Sequence, residues 1–357
     1  MDAIRQLAAR RFPRATVVSC ERLGDDERPG DATTKGSGYG IPVKVVLREP
    51  DGGEHAVVFH TARADDFGHD RRADRAAQML LAFDTYPHLP QHVPALDVGV
   101  ITQDGQLRSI ADADEVYLLT GWAEGELYAQ DLRRIAVEGT RPRDLHRLDA
   151  LTDYLVQLHT RHHGRLAVYD RAVRDLVGSG EGIFGMIDGF GDDVPGAPPQ
   201  RLRRIEERCV AWRWRLRGRE PRVARVHGDF HPFNILFSGD AELALLDASR
   251  GGMGEPADDV TALAINFVFF ALDVPGAWSR GLGTLWHRLW SRYLNATSDH
   301  EMLEVVAPWL AWRALVIANP RWYPNLTTSG RHHLLSWIER TLDASGFDPR
   351  SADGLAP

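Results

Sequence analysis

A chain of 357 residues is long enough to bury a full core and to divide into two or three domains. Its formal charge of -8, with 43% hydrophobic and 26% charged residues, is that of a globular protein in water. The charge argues against nucleic acid or an anionic membrane as the main partner, and for tolerance of cationic substrates.

Taken in order, residues 1–12 (MDAIRQLAARRF) read as an amphipathic charged helix without the apolar core of a signal peptide. Cys20 and Cys209 fit neither a zinc spacing nor a disulfide framework, so a cytoplasmic, reducing setting is expected. Lysine occurs only as Lys35 and Lys44, which restricts any lysine-dependent mechanism to two candidates. A strand over 16–20 precedes a polar, glycine-containing stretch, and 41–47 and 55–60 form a β-hairpin around Pro50, Asp51, Gly52 and Gly53. Gly36, Gly38 and Gly40 suit close approach of backbone amides to phosphates, with a plain connection as the competing reading. A strand follows them and not a helix, which disfavours a dinucleotide-binding turn.

The Asp66, Phe67, Gly68 triplet reads as a loop entering a helix over 69–83, whose apolar stripe is Ala73, Ala77, Leu80 and Leu81. Asp70 and Asp74 share an adjacent face. Residues 117–122 read as a short strand leaving through Ala123, Glu124 and Gly125. Beyond it, Leu145, Leu148, Leu151, Leu155 and Leu158 recur at helical spacing up to a histidine-rich helix end, 159–163. Residues 181–199, with Asp188, Asp192 and Asp193, read as a loop or lid. The basic stretch 201–225 reads as an arginine-covered surface helix with Ile205, Val210 and Trp214 on its apolar side.

The chemistry concentrates in VHGDFHPFNILFSGDAELALLD, residues 226–247. A strand end and a tight polar loop lead into a hairpin, 234–237 and 243–246, turning at Ser238, Gly239 and Asp240. Asp229 and Asn234 come from the loop and Asp247 from the far end of the hairpin. Phosphoryl transfer to a hydroxyl needs these types: a carboxylate to orient the hydroxyl and accept its proton, and hard oxygen ligands for Mg²⁺ on the triphosphate. The most apolar run, 262–272, is too short to span a bilayer and contains Asn266; it lies in a helix over 257–272 that Asp258 or Asp259 is placed to cap. Trp278, Trp286, Trp290, Trp309, Trp312 and Trp322 supply core, with the turn 319–324 as a candidate pocket wall.

The H-x-D-x-x-x-x-N pattern from His227 to Asn234, followed one hairpin later by a lone Asp247, resembles the kinase-like phosphotransferases, and HGDFHPFN resembles their aminoglycoside phosphotransferase and choline kinase branch. The short segment between Asp247 and Pro256 leaves no room for a long activation loop. The resemblance implies an α+β, protein-kinase-like fold of two lobes: a β-rich nucleotide-binding lobe over 1–118, a hinge at 119–125, and a helical lobe over 126–357 carrying the catalytic loop 226–234. It implies an ATP- and Mg²⁺-dependent kinase acting on a small-molecule hydroxyl, such as an antibiotic or amino sugar, with no nucleic-acid or membrane partner.

Asp229 would orient the hydroxyl and take its proton, assisted by His231. Asn234 and Asp247 would hold Mg²⁺. Gly36, Gly38, Lys44, His60, Asp74, Leu119 and Gly121 would bind the nucleotide, and Asp188, Asp192 and Trp322 the acceptor. An Asp at about Asp259 would buttress the loop. Two positions depart from the family pattern. His60 stands where a strand lysine is expected, so His60 replaces it, or Lys44 reaches in from the preceding strand, or the site is weakened. Ser249 stands where many relatives carry a second acid. The alternatives are a nucleotide-binding protein without kinase activity and a nucleotidyl transferase on the same fold.

Overall fold

The computed structural model describes residues 1–23, 40, 42–160 and 165–355. The chain mixes helices with short sheets, and every described strand pair is antiparallel, as an α+β protein requires. It divides into two compact units, Met1–Thr120 and Gly121–Pro357.

The first unit opens with α1 (Asp2–Arg11) and a three-stranded sheet, β1 (Thr16–Arg22), β2 (Val43–Arg48) and β3 (Glu54–Phe59), in sequential order. Strand β2 alternates as a half-buried strand should. Val43, Val45 and Leu47 point into a small core with Ala8 of α1, and Lys44 and Val46 fall on the other face. Helix α2 (Arg72–Thr85) follows, then the hairpin β4 (Gly99–Ile101) and β5 (Leu107–Ser109). The expected stripe of α2 is not realised: none of its residues is buried, and Leu81 is 67% exposed. Nor do residues 117–122 form a strand. Tyr117, Leu118, Leu119 and Trp122 stand exposed, because β-propensity becomes a strand only where an edge accepts its hydrogen bonds.

The second unit begins with β6 (Glu126–Leu127), α3 (Tyr128–Glu138), α4 (Pro142–Leu158), α5 (Leu166–Gly178), α6 (Ile183–Asp188) and α7 (Pro199–Arg215). Then come β7 (Ala224–Val226), β8 (Ile235–Phe237), β9 (Leu243–Leu245) and β10 (Gly252–Gly254). The helices α8 (Ala257–Phe269), α9 (Gly283–Thr297), α10 (Met302–Val305), α11 (Ala307–Ala318) and α12 (Thr328–Asp343) complete it. The leucines of α4 meet their expectation: Leu148, Leu151 and Leu155 are fully buried.

Two expectations change here. The stretch 181–199 is not all loop, because Ile183, fully buried, anchors the helical turn α6. Helix α7 buries a different face from the one expected. Leu202, Ile205, Cys209 and Trp212 point inward with Arg201, whose guanidinium meets Glu339 at 2.8 Å, while Val210 and Trp214 are exposed. An arginine with a carboxylate partner can occupy an inner position that an apolar count assigns to Trp214. Burial pushes the Cys209 thiol up, whereas Cys20 in β1 is only half-buried. Trp286, Trp290, Trp309 and Trp312 are core residues as expected, whereas Trp322 is half exposed. No described helix is long and apolar enough to cross a membrane.

Candidate active site

Two small sheets deliver the polar loop. Strand β7 pairs with β10, and β8 pairs with β6 on one side and β9 on the other, so residues 227–234 bridge the two sheets. The β8–β9 hairpin is fixed from α4: Arg147, buried and paired with Asp131, donates to the Gly239 carbonyl at 2.8 and 3.1 Å and lies over the Phe237 ring. At the other sheet, buried Arg222 forms bidentate pairs with Glu255 and Asp299, which pins the β10–α8 junction. Buried charges are tolerable there because each guanidinium edge meets a carboxylate.

The loop backbone is held by Asp259 at the start of α8. Its Oδ2 accepts the His227 N–H at 2.7 Å and its Oδ1 the Gly228 N–H at 2.8 Å, and the His159 ring lies 3.1 Å from Oδ2. The expected buttress is therefore present, and Asp259 braces the loop and does not cap its own helix. Gly228 has φ +83°, and a Cβ there would lie 2.6 Å from the Arg250 carbonyl carbon. Only glycine satisfies both the left-handed backbone and that approach.

Asp229 is the centre of the cluster. Arg250 and Arg313 both donate to its Oδ1, Arg313 at 3.2 Å. On Oδ2 it meets His231 Nε2 at 3.3 Å and the Asn234 amide nitrogen at 3.3 Å. The Phe233 N–H donates to His231 Nδ1, which leaves the ring proton on Nε2, facing the carboxylate. Burial alone would raise the Asp229 carboxyl. The His231 hydrogen bond and the charges of Arg313 and Arg250 outweigh it and hold the group well below the usual carboxylate range. Both guanidiniums lie over the Trp312 ring, at 3.9 Å for Arg313 and 5.1 Å for Arg250.

Asn234 also donates to the Asp229 carbonyl at 3.1 Å, which turns its amide oxygen away from the carboxylate as a hard donor. The Leu246 N–H donates to the Asn234 carbonyl at 2.9 Å, one step beyond the Ile235–Leu245 register pair, so Asp247 leaves the hairpin beside this loop. Asp247 is exposed, takes φ +45°, and accepts the Ser249 N–H on Oδ1. An amide oxygen and a carboxylate, with room for water and phosphate oxygens, suit a Mg²⁺ ion, which keeps several non-protein ligands.

The structure thus brings together Asp229, His231, Asn234 and Asp247. Gly36 and Gly38 lie outside the described residues. Lys44, His60, Asp74 and Leu119 belong to the first unit: Lys44 is half-buried in β2, His60 is exposed just past β3, Leu119 is exposed, and Asp74 accepts the Arg71 N–H at the start of α2. Gly121 begins the second unit, in irregular backbone. Asp188 and Asp192 are exposed at and after the end of α6, and Trp322 in the turn after α11 carries Arg321 over its ring. Arg313 and Arg250 were not anticipated from the sequence. Arg313 had a signal, since a lone charge in the apolar run of α11 must find a buried partner.

The profile of the phosphotransferase enzyme family matches residues 44–294, more than half of the chain. The chain belongs to that family. The match takes in the loop 227–234, the hairpin and the whole of α8, so Asp229, Asn234, Asp247 and Asp259 all lie in the matched region. No curated protein matches the chain. Among solved structures, an aminoglycoside phosphotransferase from Streptomyces rimosus shows 14% identity over 75% of this chain and 87% of its own, with a TM-score of 0.32. A glucosamine kinase in complex with glucosamine, ADP and inorganic phosphate shows 16% identity over 94% and 96%, with a TM-score of 0.39. A spectinomycin phosphotransferase in complex with ADP and spectinomycin shows 10% identity over 99% and 98%, with a TM-score of 0.34.

Proposed function

We propose that this phosphotransferase moves the γ-phosphoryl group of ATP to a hydroxyl of a small molecule in the cytoplasm. The observation that carries the reading is the geometry at Asp229: one carboxylate on a glycine-shaped loop, with Asn234 bonded to it and Asp247 leaving the hairpin beside it, inside the region the family profile matches. Phosphoryl transfer has a loose transition state and asks for positioning and charge more than for covalent help. Asp229, kept ionised by its cations, accepts the hydrogen bond of the incoming hydroxyl and takes its proton late, as the oxygen becomes acidic. Asn234 and Asp247 would hold Mg²⁺, which when bound neutralises charge on the phosphates.

In the same reading, residues 1–118 serve as the nucleotide-binding lobe, 119–125 as the hinge and 126–357 as the acceptor lobe. Gly36, Gly38, Lys44, His60, Asp74, Leu119 and Gly121 are assigned to nucleotide binding, and Asp188, Asp192 and Trp322 to acceptor binding. The test is the product made from ATP in the presence of a panel of hydroxyl compounds. ADP with a phosphorylated acceptor is the expected result. Pyrophosphate would make the protein a nucleotidyl transferase, and nucleotide binding without any product would make it a binding protein.

A further inference from the structure

A row of aromatic rings borders Asp229. His231, in contact with the carboxylate, packs edge-on against Phe233 at 5.8 Å between centroids. Phe233 stacks on Phe270 at 6.3 Å, Phe270 meets Phe269 at 5.2 Å, and Phe269 meets Tyr323 at 4.6 Å. At the far end, burial, with the Asp229 charge adding to it, raises the Tyr323 phenol. The row therefore runs from the Asp229 cluster across the end of α8 to the turn after α11.

Phe269, Phe270 and Tyr323 pack against the core on one side and keep part of their surface open. Phe233, Phe269, Phe270 and Tyr323 are only half-buried, whereas the ring cluster of the core, Trp286, Trp290, Trp337 and Phe347, is 0–5% exposed. A cation already covers two of the rings. Arg133 lies over both Phe233 and Phe270, at 5.5 and 5.8 Å. Two carboxylates near Asp229 are engaged: Asp258 pairs with Arg313, and Glu181 lies 3.4 Å from Arg250. Bare ring faces would attract a cation, but the Arg133 guanidinium already covers Phe233 and Phe270, and its charge repels an ammonium brought beside it.

We infer that the acceptor lies on the strip Phe233, Phe270, Phe269 and Tyr323, and that it is an uncharged hydroxyl compound with an extended ring face. This rests on the phosphotransferase reading of Asp229 and narrows its substrate class. The acidic residues Asp188 and Asp192 are then rim groups and not the determinants of recognition.

The test is calorimetric binding to the full chain of three probes: 2-naphthyl β-glucoside, methyl β-glucoside and glucosamine. The naphthyl glucoside is expected to bind at least about tenfold tighter than the other two, the value of one well-placed ring contact. Phe270→Leu, which keeps apolar volume and removes the ring, is expected to abolish that preference, while Tyr323→Phe keeps it. Equal affinities, tightest binding of glucosamine, or an unchanged preference in Phe270→Leu overturns the inference. Phosphoryl transfer is followed in parallel. Transfer to glucosamine without any ring effect overturns the acceptor class alone, whereas ring-dependent binding with transfer to no hydroxyl overturns the functional reading and this one with it.

Discussion

Arg313 Nη1 lies 3.2 Å from Asp229 Oδ1, and its other nitrogen bridges to Asp258 and to the Gly228 carbonyl. One buried guanidinium from α11 therefore ties the Asp229 carboxylate to the start of α8. Removing it as Arg313→Met should let Asp229 drift and its carboxyl rise toward the ordinary value. A fall in kcat on the order of 10² is expected, the usual cost of a misplaced group, with the nucleotide KM unchanged. The acid limb of the kcat/KM profile should move up toward pH 4, and Arg313→Lys should restore part of both effects. A variant with wild-type kcat and profile would show Arg313 to be packing alone.

Asp229→Asn keeps shape and removes charge. Transfer should slow by roughly 10²–10⁴, with nucleotide affinity intact, as measured by turnover and nucleotide titration. The ion pairs contribute stability as well. Because the folded carboxyl is held below its unfolded value of about 3.9, that contribution is present above about pH 4 and is lost as the pH falls further. Wild type should therefore lose stability faster than Asp229→Asn on acidification below pH 4.

Asp258 has the opposite sign. Burial pushes its carboxyl up to about 6 against the pull of Arg313, with Asp259 adding to the rise. The folded state then favours the protonated form, so ionisation costs stability between about pH 4 and pH 6 and the cost is constant above. Relative to wild type, Asp258→Asn should gain on the order of 2–3 kcal/mol across that window. A difference in melting that does not change with pH would show that Asp258 titrates normally.

Asp259→Asn exchanges one of two buried acceptor oxygens for an amide that faces a backbone N–H. A loss of about 1–3 kcal/mol is expected by chemical denaturation, together with loss of turnover as the loop slackens. Unchanged stability would mean that the loop holds its shape without the brace.

Asp247→Asn is the gentler probe of the metal reading, because Asn tolerates the left-handed backbone that Asp247 adopts at φ +45°. Wild type should gain melting temperature from Mg·ATP and the variant should lose most of that gain. Equal shifts would remove Asp247 from metal binding.

The loop, the hairpin and the brace were legible because they are local: spacing, turn chemistry and alternation over 34 residues fix Asp229, Asn234, Asp247 and Asp259. The leucines of α4 were legible for the same reason. What escaped depends on contacts between distant segments. Strand β10 is three residues, Gly252–Gly254, and exists because β7 offers it an edge. Residues 117–122 have strand composition and no such edge. Arg313 is 84 residues from Asp229, and no local pattern connects them.

The two thiols bring a practical consequence. With Cys209 shut inside α7 and Cys20 half open on β1, a thiol-reactive dye added to the native protein should label Cys20 selectively. The unmutated chain therefore carries its own single-site fluorescent handle on the first unit, and the uptake of a second dye is a direct clock for the opening of the helical unit.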